Sequence, residues 1–168
     1  MIEEGRGDLL AANVDALVNA VNTVGVMGKG LALAFKRAYP ANFAAYRAAC
    51  ASDALRIGTV WVHDNAVPGP RRYIINFPTK RHWRSRSRLP DIAAGLDSLV
   101  EVVAERAVGS VAVPALGCGN GGLRWSDVRP LIERAADRMP GIRVVVFAPA
   151  AIPVPASASA FDAPPASG

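Results

Sequence analysis

The chain has 168 residues, enough for one domain with an ordinary core. Two cysteines, Cys50 and Cys118, give no disulfide framework. No apolar run reaches the length of a membrane span, and the acidic start Met1-Ile2-Glu3-Glu4 is the opposite of a signal peptide, so a cytosolic protein without a membrane partner is expected. The net charge of +5 is unevenly placed. Between Asp64 and Asp91 no acidic residue occurs, while Arg71, Arg72, Lys80, Arg81, Arg84, Arg86 and Arg88 do, and the rest of the chain is net negative. A polyanionic partner at one place is implied.

In chain order, residues 16–22 (ALVNAVN) read as a buried strand. Helical spacing follows over 31–39, Pro40 interrupts it, and a second helix is expected over 42–51. Residues 59–63 and 72–77 are short β-rich runs bounded by Gly and Pro. Leu96, Leu99, Val100, Val103 and Ala107 recur at helical intervals, which predicts a helix over 89–107 stopped by Gly109. A short strand over 110–113 precedes a helix over 126–139, with Ser126 as N-cap and Pro140-Gly141 at its end. RVVVFA at 143–148 closes as a strand. Residues 150–168 are almost wholly Ala, Pro and Ser and read as a disordered tail or linker after a domain spanning 1–149. Strands apolar on both faces alternating with helices make an α/β fold with a mostly parallel sheet covered on two sides. Ligands of such sheets sit at the carboxyl ends of strands.

Two glycine-rich loops lie at that edge. In the first, Gly25, Gly28 and Gly30 stand between strand and helix, where glycine lets successive N–H groups converge on an anion and the helix adds its positive end. Lys29 is not followed by the hydroxyl of a P-loop, so ATP hydrolysis is disfavoured. The amides of Asn19 and Asn22 interrupt an apolar strand end and need partners, either the hydroxyls of a sugar or the turn itself. The second loop, PALGCGNGGLRW, holds Gly117, Gly119, Gly121 and Gly122. Cys118 within it reads as structural, since neither His63 nor His82 stands at a diagnostic spacing for a base. The histidines and cysteines lack ligand spacing, so no metal is expected, and no cofactor is implied.

GDLL at 7–10, NAVN with GVMGKGLA at 19–32, and PALGCGNGGLRW at 114–125 resemble the corresponding segments of macrodomains, which bind ADP-ribose. The likeness extends to the DNA ADP-ribosyl glycohydrolase antitoxin branch, in which NTVGVMGKGLAL-FK, NFPTK-HWR and LGCGNGGL-W occur together; all three stand here. The resemblance implies a three-layer α/β/α fold with a mostly parallel mixed sheet. It implies that Asp8 takes the adenine amino group with Leu9 nearby. Gly25, Val26, Met27, Gly28, Gly30 and Leu31, facing Leu116, Gly117, Cys118, Gly119, Asn120, Gly121 and Gly122, would hold the diphosphate, and Asn22, Thr79 and Lys80 would surround the distal ribose. The implied reaction removes ADP-ribose from thymidine in single-stranded DNA, reversing a partner toxin, a DNA ADP-ribosyltransferase.

Lys80 is then the expected catalytic residue, either as an amine attacking the ring-opened sugar or as a cation stabilising the departing base. Arg81, His82, Trp83, Arg84, Arg86 and Arg88 are expected to bind the strand, with guanidiniums on phosphates and the indole on an unstacked base. Two other readings stay open: a hydrolase of protein-linked or small-molecule ADP-ribose esters, and a non-catalytic ADP-ribose reader. Related lysine-dependent hydrolases of protein esters carry an acidic residue in the second glycine loop; this chain has none there, which favours the DNA branch.

Overall fold

The computed structural model describes residues 2–149; the expected tail from 150 onward lies outside the described residues. The strands are β1 (Ile2–Glu4), β2 (Ala16–Asn22), β3 (Trp61–Asp64), β4 (Tyr73–Lys80), β5 (Ser110–Val113) and β6 (Arg143–Val146). The helices are α1 (Gly30–Ala38), α2 (Pro40–Ala51), α3 (Leu89–Glu105) and α4 (Trp125–Asp137). The sheet order is β1-β6-β5-β2-β4-β3, and every neighbouring pair is parallel except β3 with β4.

Alternation along the strands divides the core between two faces. Val18, Ile75 and Phe77 pack with Leu96 and Leu99 of α3 and Ile132 of α4. Leu17 and Ile74, one residue away, pack with Phe35 of α1, and Val21 packs with Tyr46 of α2. The result is the expected three-layer arrangement. All five parallel strands deliver their carboxyl ends to one edge, so the loops after β1, β2, β4 and β5 gather there.

Several boundaries differ from the sequence expectation for physical reasons. β1 was not anticipated: two of its three residues are glutamates, and it exists by pairing with β6, with Glu3 bound to Arg143 and Glu4 to Arg129. Pro40 does not merely break a helix; it opens α2 at its first turn, where its missing N–H breaks no bond. β4 runs three residues past Phe77 because β3 pairs only as far as Asn76, so no strand on the outer side needs the N–H that Pro78 lacks. α3 stops before Gly109 in a Schellman turn: Ala107 adopts φ 51°, its N–H reaches the Ala104 carbonyl, and the Val108 N–H reaches that of Val103. Ser126 is not the cap of α4; Arg124 holds that place, and its side chain bonds Asp127 in the first turn.

Candidate active site

The loop after β2 is shaped by Asn22. Its side-chain oxygen accepts from the N–H groups of Val24 (3.1 Å) and Val26 (3.3 Å) and from the Tyr46 hydroxyl (2.9 Å), while its Nδ2 donates to the Val26 carbonyl (2.8 Å). Tyr46 also donates to the Asn22 backbone oxygen, and burial pushes its phenol well above the ordinary range, so it stays a neutral donor. Gly25 turns the loop at φ 85° against Arg47 of α2. Met27 is buried under the loop while Val24, Val26, Gly28 and Gly30 face out. The Asn22 amide is therefore committed to bracing its own loop. Asn19 lies deeper still: it is fully buried, its amide faces the Met27 sulfur at 3.8 Å, and its neighbour Asn76 pairs with Asn42 of α2. The Asn19 side-chain oxygen has no partner among the described residues.

Lys80 ends β4 beside Asn22. The β2–β4 register slips there, Val21 opposing Pro78 and Asn22 opposing Lys80, so Thr79 is an extra residue that re-aims the strand end. Thr79 is buried, its hydroxyl on the Val21 carbonyl. The Lys80 ammonium donates to the Trp83 carbonyl (2.9 Å), and partial burial, with the charge of Lys29 nearby, lowers its pKa.

The segment after Lys80 is sewn to both glycine loops. The Arg81 carbonyl accepts from the N–H and the hydroxyl of Thr23 in the first loop (3.0 and 2.8 Å). The Ser87 N–H donates to the Gly121 carbonyl in the second (2.9 Å). Between these anchors, residues 82–85 form a turn in which Arg84 lies 4.4 Å over the ring of Trp83 and His82 lies tilted beside it at 5.1 Å. Trp83 is 43 % exposed. None of Arg81, Arg84, Arg86 and Arg88 forms an ion pair among the described residues.

The second loop needs its glycines. Gly117, Gly119 and Gly122 have φ of 73°, 68° and 79°, and a Cβ on Gly117 would lie 2.7 Å from Leu123. Leu116, Gly117 and Gly121 are buried; Gly119, Asn120 and Gly122 face out. Cys118 is half-buried with its thiol pushed up by burial, which suits a structural thiol. In the loop after β1, Asp8 is exposed and accepts from the Leu10 N–H (3.0 Å), capping a single turn whose Leu9 is buried with Leu17, Ala112 and Val145. The structure thus gathers Asn22, Thr79, Lys80, both glycine loops and residues 81–88, while Asp8 stands apart in the loop after β1. Sequence reasoning missed Ser87, hidden in an alternating Arg-Ser run, and Tyr46, which nothing on α2 singles out.

A shallow hollow of about 570 Å³ opens at the opposite edge, lined by Asp15, Arg72, Tyr73, Arg106 and neighbours. Arg72 there is bound at 3.0 Å by Asp64, and the glycine loops take no part, so the ligand edge is assigned to the strand carboxyl ends. Among the described residues no three His, Cys, Asp or Glu side chains gather to hold a metal, and no helix is long and apolar enough to cross a membrane.

Residues 18–132 match the Macro domain family model. Among relatives, the DNA ADP-ribosyl glycohydrolase of Mycobacterium tuberculosis is 50% identical over 149 residues, covering 89% of this chain and 42% of that protein. The DNA ADP-ribosyl glycohydrolase of Thermus aquaticus is also 50% identical, over 89% of this chain and 41% of its own length. This chain therefore spans less than half the length of the relatives it matches. Among solved structures, the macrodomain of Mycobacterium tuberculosis DarG superposes with a TM-score of 0.86 at 50% identity, covering 88% of this chain and 97% of that one. Thermosipho africanus DarTG in complex with ADP-ribose gives 0.80 at 37% identity, over 86% of this chain and 40% of that one. By sequence and by fold, the chain belongs to the Macro domain family.

Proposed function

We propose that this chain is a DNA ADP-ribosyl glycohydrolase, which removes ADP-ribose from thymidine bases of single-stranded DNA and so acts as the antitoxin of a DNA ADP-ribosyltransferase. The observation that carries the reading is the position of Lys80, between a preformed anion loop and an unpaired cationic segment. β1 and β4 stand four strand spacings apart, about 19 Å. That row suits an extended dinucleotide-sized ligand, with adenine at Asp8 and Leu9, diphosphate between residues 25–31 and 116–122, and distal ribose at Asn22, Thr79 and Lys80. Asn22 contributes through the loop it braces. The modified strand would lie along Arg81, His82, Trp83, Arg84 and Arg88. A toxin transferase is the partner that supplies the modified DNA.

Burial and Lys29 both favour the neutral amine of Lys80, which supports nucleophilic attack on the anomeric carbon of the ring-opened ribose. The carbon–nitrogen bond to thymine breaks, the base leaves with a proton, and water hydrolyses the resulting Schiff base to return the amine and free ADP-ribose. Residues 117–122 offer no carboxylate to serve as a base for ester hydrolysis, which disfavours the protein-directed reading. The test compares release of ADP-ribose from modified single-stranded DNA and from modified protein, for the native chain and Lys80→Ala. DNA should be the substrate, and Lys80→Ala should bind free ADP-ribose while losing about a hundredfold or more of turnover. Unchanged turnover in the variant, or release from protein alone, would refute the proposal.

A further inference from the structure

Arg86 stands apart from its neighbours in the basic segment. The turn at residues 82–85 carries Arg84 onto Trp83, but the chain then returns to the second glycine loop, where Ser87 is pinned to Gly121. A Cβ built on Gly122 would lie 3.7 Å from Arg86 Nε and within 4.0 Å of its guanidinium carbon and Nη2, so the guanidinium rests beside the bare backbone of that loop. Arg86 is exposed and makes no hydrogen bond, ion pair or ring contact among the described residues; what its guanidinium lies against is the exposed Gly122 of the second loop. The adjoining Ser87 is 6 % exposed, lies against Gly121, and its hydroxyl has no partner among the described residues. A guanidinium and a buried hydroxyl, both without partners among the described residues, thus meet one loop whose glycines turn it outward at positive φ.

We infer that Arg86 is a ligand of the ADP-ribose diphosphate, closing the second glycine loop from above, and not a contact to the DNA strand. The planar fork suits phosphate oxygens, and the loop supplies backbone donors on the other side. The inference rests on the reading of the two loops as an ADP-ribose site. It sets Arg86 apart within the basic segment: Arg81 to Arg84 and Arg88 face the strand, and Arg86 faces the portion of the substrate common to every ADP-ribosylated molecule. Affinity for free ADP-ribose then depends on a residue of the same segment that selects DNA.

The experiment titrates free ADP-ribose, ADP and an unmodified single-stranded oligonucleotide into the full chain and its Arg86→Ala variant. Losing a charge-assisted hydrogen bond should weaken ADP-ribose and ADP about tenfold each and leave oligonucleotide affinity within about twofold. Arg86→Lys, which keeps the charge without the fork, should recover part of the loss. Arg138→Ala, which removes the same charge at the other end of α4, should bind ADP-ribose as the native chain does, and equal urea midpoints should establish that the variants fold. Unchanged ADP-ribose affinity in Arg86→Ala, an equal loss on the oligonucleotide, or a loss confined to ADP-ribose and spared on ADP would each overturn the assignment. If the native chain binds ADP-ribose but leaves modified DNA intact, the glycohydrolase reading fails while the Arg86 assignment stands.

Discussion

Alanine at position 121 tests the seam between the basic segment and the second glycine loop. Gly121 is buried, and its φ is not among the positive ones, so the backbone itself would accept alanine and even gain from it, by about 0.4–1 kcal/mol through the unfolded state. The obstacle is Ser87. A Cβ at 121 would lie 2.4 Å from Ser87 Oγ and 3.0 Å from Ser87 Cβ. The hydroxyl can rotate away. The Cβ can retreat only with its backbone, whose N–H is bonded to the Gly121 carbonyl at 2.9 Å. Forcing an extra methyl into such a contact costs about 1–3 kcal/mol, which leaves a net loss of about 1–2 kcal/mol after the backbone gain. With a urea slope of roughly 2 kcal/mol/M, the unfolding midpoint of Gly121→Ala should fall by about 0.5–1 M. Ser87→Gly removes both obstructing atoms. Gly121→Ala made in that background should therefore cost much less, with a coupling of about 1 kcal/mol in the double-mutant cycle. An unchanged midpoint in Gly121→Ala, or a cycle without coupling, would refute the claim that Ser87 and Gly121 form one packed unit.

Tyr46→Phe should lower stability by about 1 kcal/mol in urea melts and weaken ADP-ribose severalfold by calorimetry, because the loop loses the hydroxyl that bonds both oxygens of Asn22. A variant that melts normally and binds normally would show that the loop keeps its shape without the phenol. Asp64→Asn tests the opposite edge. The hydrogen-bonded Arg72 guanidinium lowers the folded pKa of Asp64 to about 2, so its contribution is complete above the unfolded carboxylate value near 4 and disappears as pH falls to about 2. The gap in urea midpoint between native chain and variant should be constant from pH 5 to 7 and close below pH 4; a gap that widens with acid would contradict the pairing.

The strands that build the sheet were legible wherever burial writes an apolar run, as at Ala16–Asn22 and Ser110–Val113, which the structure reproduces to the residue. β1 was not, because Ile-Glu-Glu carries no local signal and depends on arginines more than a hundred residues away. The end of α3 was misplaced because an alanine, not the glycine two residues on, takes the left-handed turn. In the site, the glycine loops and Lys80 were visible as residue types at a strand–helix junction. Asn22 was visible too, but composition cannot tell an amide that meets a ligand from one that holds the loop. The seam through Ser87 left no trace in an Arg-Ser alternation, since its partner Gly121 is brought to it by the backbone of a distant loop.

The bonds of Asn22 also bear on the speed of recognition. Residues 22–26 are already fixed by one amide and one phenol, so the cost of ordering them, about 1–2 kcal/mol per residue, is met when the chain folds and not when a ligand arrives. Encounter with this loop then needs no preceding rearrangement. Association at it is governed by diffusion, orientation and the positive field of the neighbouring segment, and discrimination between ligands falls to how long each one stays.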